Sequence, residues 1–141
     1  MAELIYNDDE RLIKWAQDVI GCEFRADAKA IGYGDGEKIY SVTVFDGFSV
    51  CDCNMHVASD GTGHWLSRKY LLAVFAYPFI QLKLRRVTGL VPAKNESALR
   101  FDAHLGFEFE GRCRNALPDD DIIILGLLRE NCKYIHPDHR R

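Results

Sequence analysis

The 141-residue sequence has no run of about eighteen apolar residues, and its start lacks the charged, apolar, small-residue succession of a secretory leader. The expectation is a cytoplasmic chain with no membrane partner. Positive charge is not in excess: 18 Lys and Arg against 21 Asp and Glu leave a formal charge of −3, which argues against a sequence-independent nucleic-acid binder. The five cysteines, Cys22, Cys51, Cys53, Cys113 and Cys132, are odd in number and scattered, so a secreted disulfide framework is excluded and free thiols are expected. Only four prolines occur, and there is neither a low-complexity linker nor an internal repeat. Residues 1–133 therefore read as a single domain with a basic tail at 134–141. At 48% hydrophobic content such a chain buries roughly 70% of its unfolded surface without covalent staples.

The most informative stretch is Arg86–Phe107. Val87, Leu90 and Val91 give strand character, Pro92 ends it, and Asn95 stands where a helix N-cap accepts an unpaired backbone N–H. Ala98, Phe101 and Leu105 then recur at helical spacing, and Gly106 supplies the left-handed stop before Phe107 opens the next strand.

Around this stretch the chain reads in order. Residues 3–6 form a short strand. A helix capped by Asp8 or Asp9 follows, with Leu12, Trp15, Ala16, Val19 and Ile20 on one face, a Glu10–Lys14 pair outside and Gly21 as its stop. Strands over 28–33, 38–45 and 48–58 are separated by Gly34-Asp35-Gly36 and Asp46-Gly47, both hairpin signals, and should lie antiparallel. In the third, Cys51, Cys53, Met55 and Val57 face the core, whereas Asp52, Asn54 and His56 face the other way. A glycine-rich turn, residues 59–65, leads into a helix from about Leu66 that should end near Tyr77-Pro78. Phe107, Phe109 and Cys113 alternate with charged residues in a half-buried strand. Asn115–Asp121 is a polar, hydrated turn, Ile122–Leu128 suits a central strand, and 131–141 should fray.

Taken together, Arg86-Val87-Thr88 with Asn95, Leu105-Gly106-Phe107 with Glu110-Gly111-Arg112, and Leu128-Arg129-Glu130-Asn131-Cys132 resemble the GNAT superfamily of acetyl-CoA-dependent N-acetyltransferases. The resemblance covers about residues 50–133. It is nearest the ribosomal-protein N-terminal acetyltransferases and small GNAT-like phage proteins, the latter through the short chain and Phe75-Ala76-Tyr77-Pro78-Phe79. It implies an α/β (α+β) fold, a mixed and mostly antiparallel sheet with helices on both faces. It implies acetyl-CoA as cosubstrate, with the pyrophosphate on Gly61, Thr62, Gly63, His64 and Trp65, a side-chain contact from Arg68, and Asn95 facing the cofactor. Its acceptor would be a protein amine. The alternative is a phage virion structural or assembly protein that keeps the fold without catalysis. The sequence departs from the family at Ala58 and Asp60 in the pyrophosphate loop, at Asp102 where many members carry an acidic tyrosine, and at Ala98 where others carry serine.

For the chemistry, His56 is the candidate base or water relay, Asp102 occupies the acid position, and Asp52 and Asn54 are candidate substrate contacts. A neutral α-amine is a tenth or more of the population at pH 7, against about one in 2,500 for a lysine amine, so an N-terminal amine is the easier acceptor. His56 also reads as an ordinary half-exposed strand histidine. Cys51-x-Cys53 and His136-x-x-His139 lack the second close pair of a metal site, and no metal is expected.

Overall fold

The structure is a computed structural model that describes residues 2–63 and 67–135. Helix α1 (Asp9–Ile20) forms where the apolar spacing puts it, and Gly21 closes it in the left-handed conformation. The Asp8 carboxylate does not cap the helix but pairs with Arg11 Nε at 2.6 Å. Lys14 extends to Asp18 at 3.4 Å. Leu12 and Ala16 are buried, whereas Val19 and Ile20 are 47% and 42% exposed, so the buried stripe narrows to the first turns of the helix.

Among the described residues, seven strands form one sheet in the order β1-β2-β3-β4-β5-β7-β6. They span β1 Glu3–Ile5, β2 Lys29–Asp35, β3 Lys38–Asp46, β4 Asn54–Ser59, β5 Arg86–Pro92, β6 Glu108–Leu117 and β7 Asp120–Leu128. All neighbours are antiparallel except β4 and β5, which run parallel and share a single register pair, Asn54 with Thr88. The apolar run at 122–128, whose continuous hydrophobicity predicts a central strand, forms an interior strand, β7, one in from the β6 edge and with β5 on its other side. Helix α1 covers one face, where Leu12 and Ala16 meet Val42, Val44 and Ala58. Helices α2 (Arg68–Ala76) and α3 (Glu96–Leu105) cover the other, where Tyr70, Val74, Phe75 and Leu105 join Phe45, Val87, Val91 and Leu127.

Five local features depart from the sequence reading. The turn expected over Asn115–Asp121 shrinks to residues 118–119, because β6 runs on to Leu117 and β7 begins at Asp120. The third strand begins at Asn54 rather than Phe48, because both oxygens of Asp27, in the α1–β2 connection, accept the N–H groups of Gly47 and Phe48 at 3.0 and 2.9 Å and hold that backbone in a loop. Helix α2 does not stop at Tyr77-Pro78. It widens into a π-turn over Tyr77–Gln81, closed by Leu82 N–H on the Tyr77 carbonyl at 3.0 Å, with Pro78 in the first turn of that segment. Strand β6 bulges between Phe109 and Gly111, and Phe109 is left 66% exposed on this edge strand, which is exposed along most of its length. The segment expected to fray is packed as far as Ile135: Cys132 is fully buried and Tyr134 stacks on Phe75 with ring centroids 5.3 Å apart. Residues 136–141, with His136 and His139, lie outside the described residues.

The α2 face is fastened by a buried hydroxyl cluster. Tyr70 is fully buried, its hydroxyl bonded to Ser41 Oγ at 3.0 Å and to Thr43 Oγ1, and burial pushes its phenol up to about 12. Tyr70→Phe leaves two buried hydroxyls short of a partner and should cost ~1–3 kcal/mol in urea unfolding. A change below a few tenths of a kcal/mol would show that the cluster does not fasten the helix.

Candidate functional site

The single β4–β5 pair makes a fork. Its closed end is built by backbone bonds from Arg85 and Arg86 N–H to the Cys51 carbonyl and from Thr88 N–H to the Cys53 carbonyl. Side chains reinforce it. Both Asp52 oxygens accept the Thr88 hydroxyl, at 3.0 and 2.9 Å, and Arg86 donates to the two oxygens of Glu110 at 3.2 and 2.7 Å with its Nε 3.6 Å from Asp52. Asp52 and Asn54 both stand at this closed end, Asn54 opposite Thr88, and Asp52 is engaged inside the chain. Beyond Asn54 the strands separate, and the edges of β4 and β5 that face one another diverge toward Ser59 and Pro92.

His56 stands on β4 just past the last pair, on the α1 face. Its Nε2 lies 3.0 Å from Asp46 Oδ1, and its ring packs against Phe24 at 5.2 Å between centroids. Asp46, only 3% exposed, also accepts Arg25 N–H on Oδ2 at 3.0 Å. Asp46 reads as a turn residue in the sequence. The signal that could have found it is phase: it follows Val42 and Val44 at the strand period of two, on a face that is otherwise core.

Asp102 approaches from the opposite face. It lies on α3, and Oδ2 is 3.6 Å from where a side chain on Gly89 of β5 would begin, beside Leu125 and Phe107. Burial among these groups pushes its carboxyl up to about 6. His56 and Asp102 thus flank the two arms of the fork from opposite sides of the sheet.

At the open end, Gly61 and Gly63 have φ of +83° and +80°, and a side chain at either would meet open space. Gly61 N–H is taken by Ser59 Oγ at 3.4 Å, while the Thr62 N–H and hydroxyl both donate to Asp60 Oδ1 at 3.0 and 2.7 Å. The loop therefore bonds to itself through two side chains. Ser67 Oγ caps α2 by accepting Tyr70 N–H at 3.1 Å, and Arg68 lies in the first turn. His64 and Trp65 lie outside the described residues. Asn95 caps α3 as its position predicts, its Oδ1 accepting from Ala98 N–H at 3.3 Å and from Ser97 Oγ.

Among the described residues no group of three His, Cys, Asp or Glu side chains could hold a metal, and no helix is long and apolar enough to cross a membrane. The described cysteines are free, and burial lifts Cys53 to about 12 and Cys132 to about 11, which suits inert structural thiols.

The forked seven-stranded sheet with helices on both faces is the GNAT N-acetyltransferase fold. Among solved structures it is similar to the spermidine/spermine N-acetyltransferase SpeG of Vibrio cholerae, at TM-score 0.76 and 13% identity over 97% of this chain and 99% of that one. The spermidine N-acetyltransferase of the same organism, solved in complex with CoA and spermine, gives TM-score 0.75 and 12% identity over 95% and 98% of the two chains. The protein yncA of Salmonella typhimurium, solved with its cofactor acetyl-CoA, gives 0.70 and 10% over 91% and 94%. No family model and no curated protein matches the sequence.

Asp102 carries a direct stability test. Its folded-state pKa of about 6 lies above the ordinary carboxyl value of about 3.9, so its contribution is fully present below pH 4 and is lost as pH rises through 6. Asp102→Asn should therefore be more stable than the native protein at pH 8, by on the order of 2 kcal/mol, with the gain shrinking toward pH 4. A difference independent of pH would contradict the burial of this carboxyl.

Proposed function

We propose that the chain transfers an acetyl group from acetyl-CoA to a protein amine, by direct attack in a ternary complex. The observation that carries this reading is the fork between β4 and β5, whose diverging strand edges lead to the Gly61–Gly63 loop before α2. Backbone groups there would pair with the pantetheine arm, and the loop, with the N-terminal end of α2 and Arg68, would take the pyrophosphate. The cosubstrate supplies an acyl carbon activated as a thioester. The amine nitrogen forms a bond to that carbon, the carbon–sulfur bond breaks, and the thiolate leaves. His56, directly or through water, takes the proton from the amine. Asp102, protonated in roughly a tenth of molecules at pH 7 if it titrates near 6, returns one to the thiolate. A thiol near pKa 8.5 needs little such help, so the base contributes more than the acid.

The acceptor is assigned to a protein α-amine rather than to a polycation such as the spermine in the Vibrio cholerae complex. Among the described residues of the fork, the carboxylates Asp46, Asp52 and Glu110 are each already engaged by a partner within the chain, which disfavours their holding several ammonium groups. An α-amine is also neutral far more often at pH 7.

Binding is tested by thermal shift and calorimetry. Acetyl-CoA at 100 times its dissociation constant should stabilise the protein by about 2.7 kcal/mol. Gly61→Asp should abolish that gain, whereas Asp60→Asn, which keeps the turn and removes its charge, should tighten binding several-fold. Absence of any shift at millimolar acetyl-CoA would overturn the acetyl-transfer reading and leave the non-catalytic assembly role. Preference for spermidine over an N-terminal peptide in kcat/KM would overturn the acceptor assignment.

A further inference from the structure

We infer that Asp46 is a positioning residue that fixes the tautomer of His56, placing the ring proton on Nε2 and leaving Nδ1 as the proton-accepting atom. This rests on the proposed role of His56 as base, and it deepens that role by naming which nitrogen works and what determines it.

The geometry carries the assignment. Asp46 ends β3 with its side chain turned into the α1 face, in phase with Val42 and Val44, and is 3% exposed. A carboxylate in such a place must be supplied with donors, and the structure supplies two. Oδ2 receives Arg25 N–H at 3.0 Å, and Oδ1 faces His56 Nε2 at 3.0 Å. An ionised carboxylate accepts hydrogen bonds only, so the imidazole nitrogen opposite it must carry a hydrogen. Phe24, set against the ring, restricts its rotation. The other titratable or charged groups near the pair, among the described residues, include the Cys22 thiol, which burial and then Asp46 push upward, the Arg25 side chain, set against Gly47, the Asp27 carboxylate, which accepts the Gly47 N–H, and the buried Cys53 thiol, on which Asp46 also acts. On β4 itself the neighbour is the neutral Asn54, paired across from Asp46.

Asp46→Asn separates positioning from packing. Arg25 N–H needs an oxygen, so the single amide oxygen of the new side chain stays with it, and the NH2 group turns to His56 Nε2. That nitrogen must then accept, and the ring proton moves to Nδ1. Nitrogen NMR of protein labelled at histidine, with His56→Ala used to assign the signal, reads the tautomer without any turnover. The native protein should show Nε2–H and Asp46→Asn should show Nδ1–H, while the melting temperature moves little. In acetyl transfer, kcat should fall by about 10²–10⁴-fold with the dissociation constant for acetyl-CoA unchanged.

An Nδ1–H tautomer in the native protein would overturn the inference, as would Asp46→Asn without the swap. So would a swap that leaves kcat intact while His56→Ala abolishes it. If no acetyl transfer is found at all, or if His56→Ala is fully active, the proposed function or its base fails. The native Nε2–H and its swap in Asp46→Asn would then still stand as Asp46's control of the ring.

Discussion

The functional architecture depends on one constraint, the closure of β4 on β5 at a single register pair. Neighbouring strands in a sheet ordinarily satisfy one another along their length, and a backbone that leaves its partner must find new bonds or face a ligand or solvent. Here the pairing ends at Asn54 and Thr88, so the fork's position is set by whatever holds that end shut. Two layers do so. The backbone bonds from 85, 86 and 88 to the carbonyls of Cys51 and Cys53 join the strands, and the Asp52–Thr88 and Arg86–Glu110 bonds carry the clamp on to β6.

The rest of the site is placed relative to that closure. His56 follows it at once on β4, braced from behind by a buried carboxylate at the end of β3. Gly89 follows it on β5, and Asp102 of α3 stands over it at ordinary contact distance, 3.6 Å from where a side chain would begin. The two titratable groups therefore meet the fork from opposite faces, one in a polar pair and one among apolar groups. Burial among apolar groups raises the carboxyl of Asp102 above the ordinary range. The bulge in β6 serves the same end, because the extra residue puts Glu110 within reach of Arg86.

Much of the fold was legible in the sequence because local signals and long-range packing agree. The Arg86–Phe107 stretch forms β5, an Asn95-capped ten-residue helix and a Gly106 stop at φ +112°, as its punctuation implies. The antiparallel β2-β3-β4 set and the interior β7 follow from turn chemistry and a continuous apolar run. What escaped was set by distant partners. Phe48–Cys53 has strand-like composition, but Asp27, some twenty residues earlier, captures its backbone. Pro78 reads as a stop, yet a wider turn carries the chain past it. The candidate site was legible only in part: the structure brings His56 and Asp102, both candidates from the sequence, to opposite faces of the fork, but the carboxylate bonded to His56 looked like half of an Asp-Gly turn. The loop at Gly61 has the backbone shape expected of it, with its amides drawn to Ser59 and Asp60, a feature that follows from Asp60 standing inside the loop.

The claim on which everything else rests is that the fork is the cosubstrate site. Backbone amide NMR under acetyl-CoA titration tests it most directly. The account predicts saturable shifts concentrated in Val57–Gly63 on one arm and Gly89–Asn95 on the other, with β1 and the Ala26–Lys29 loop unmoved. Shifts confined to that loop or to the β6 edge, or none at saturating acetyl-CoA, would contradict it.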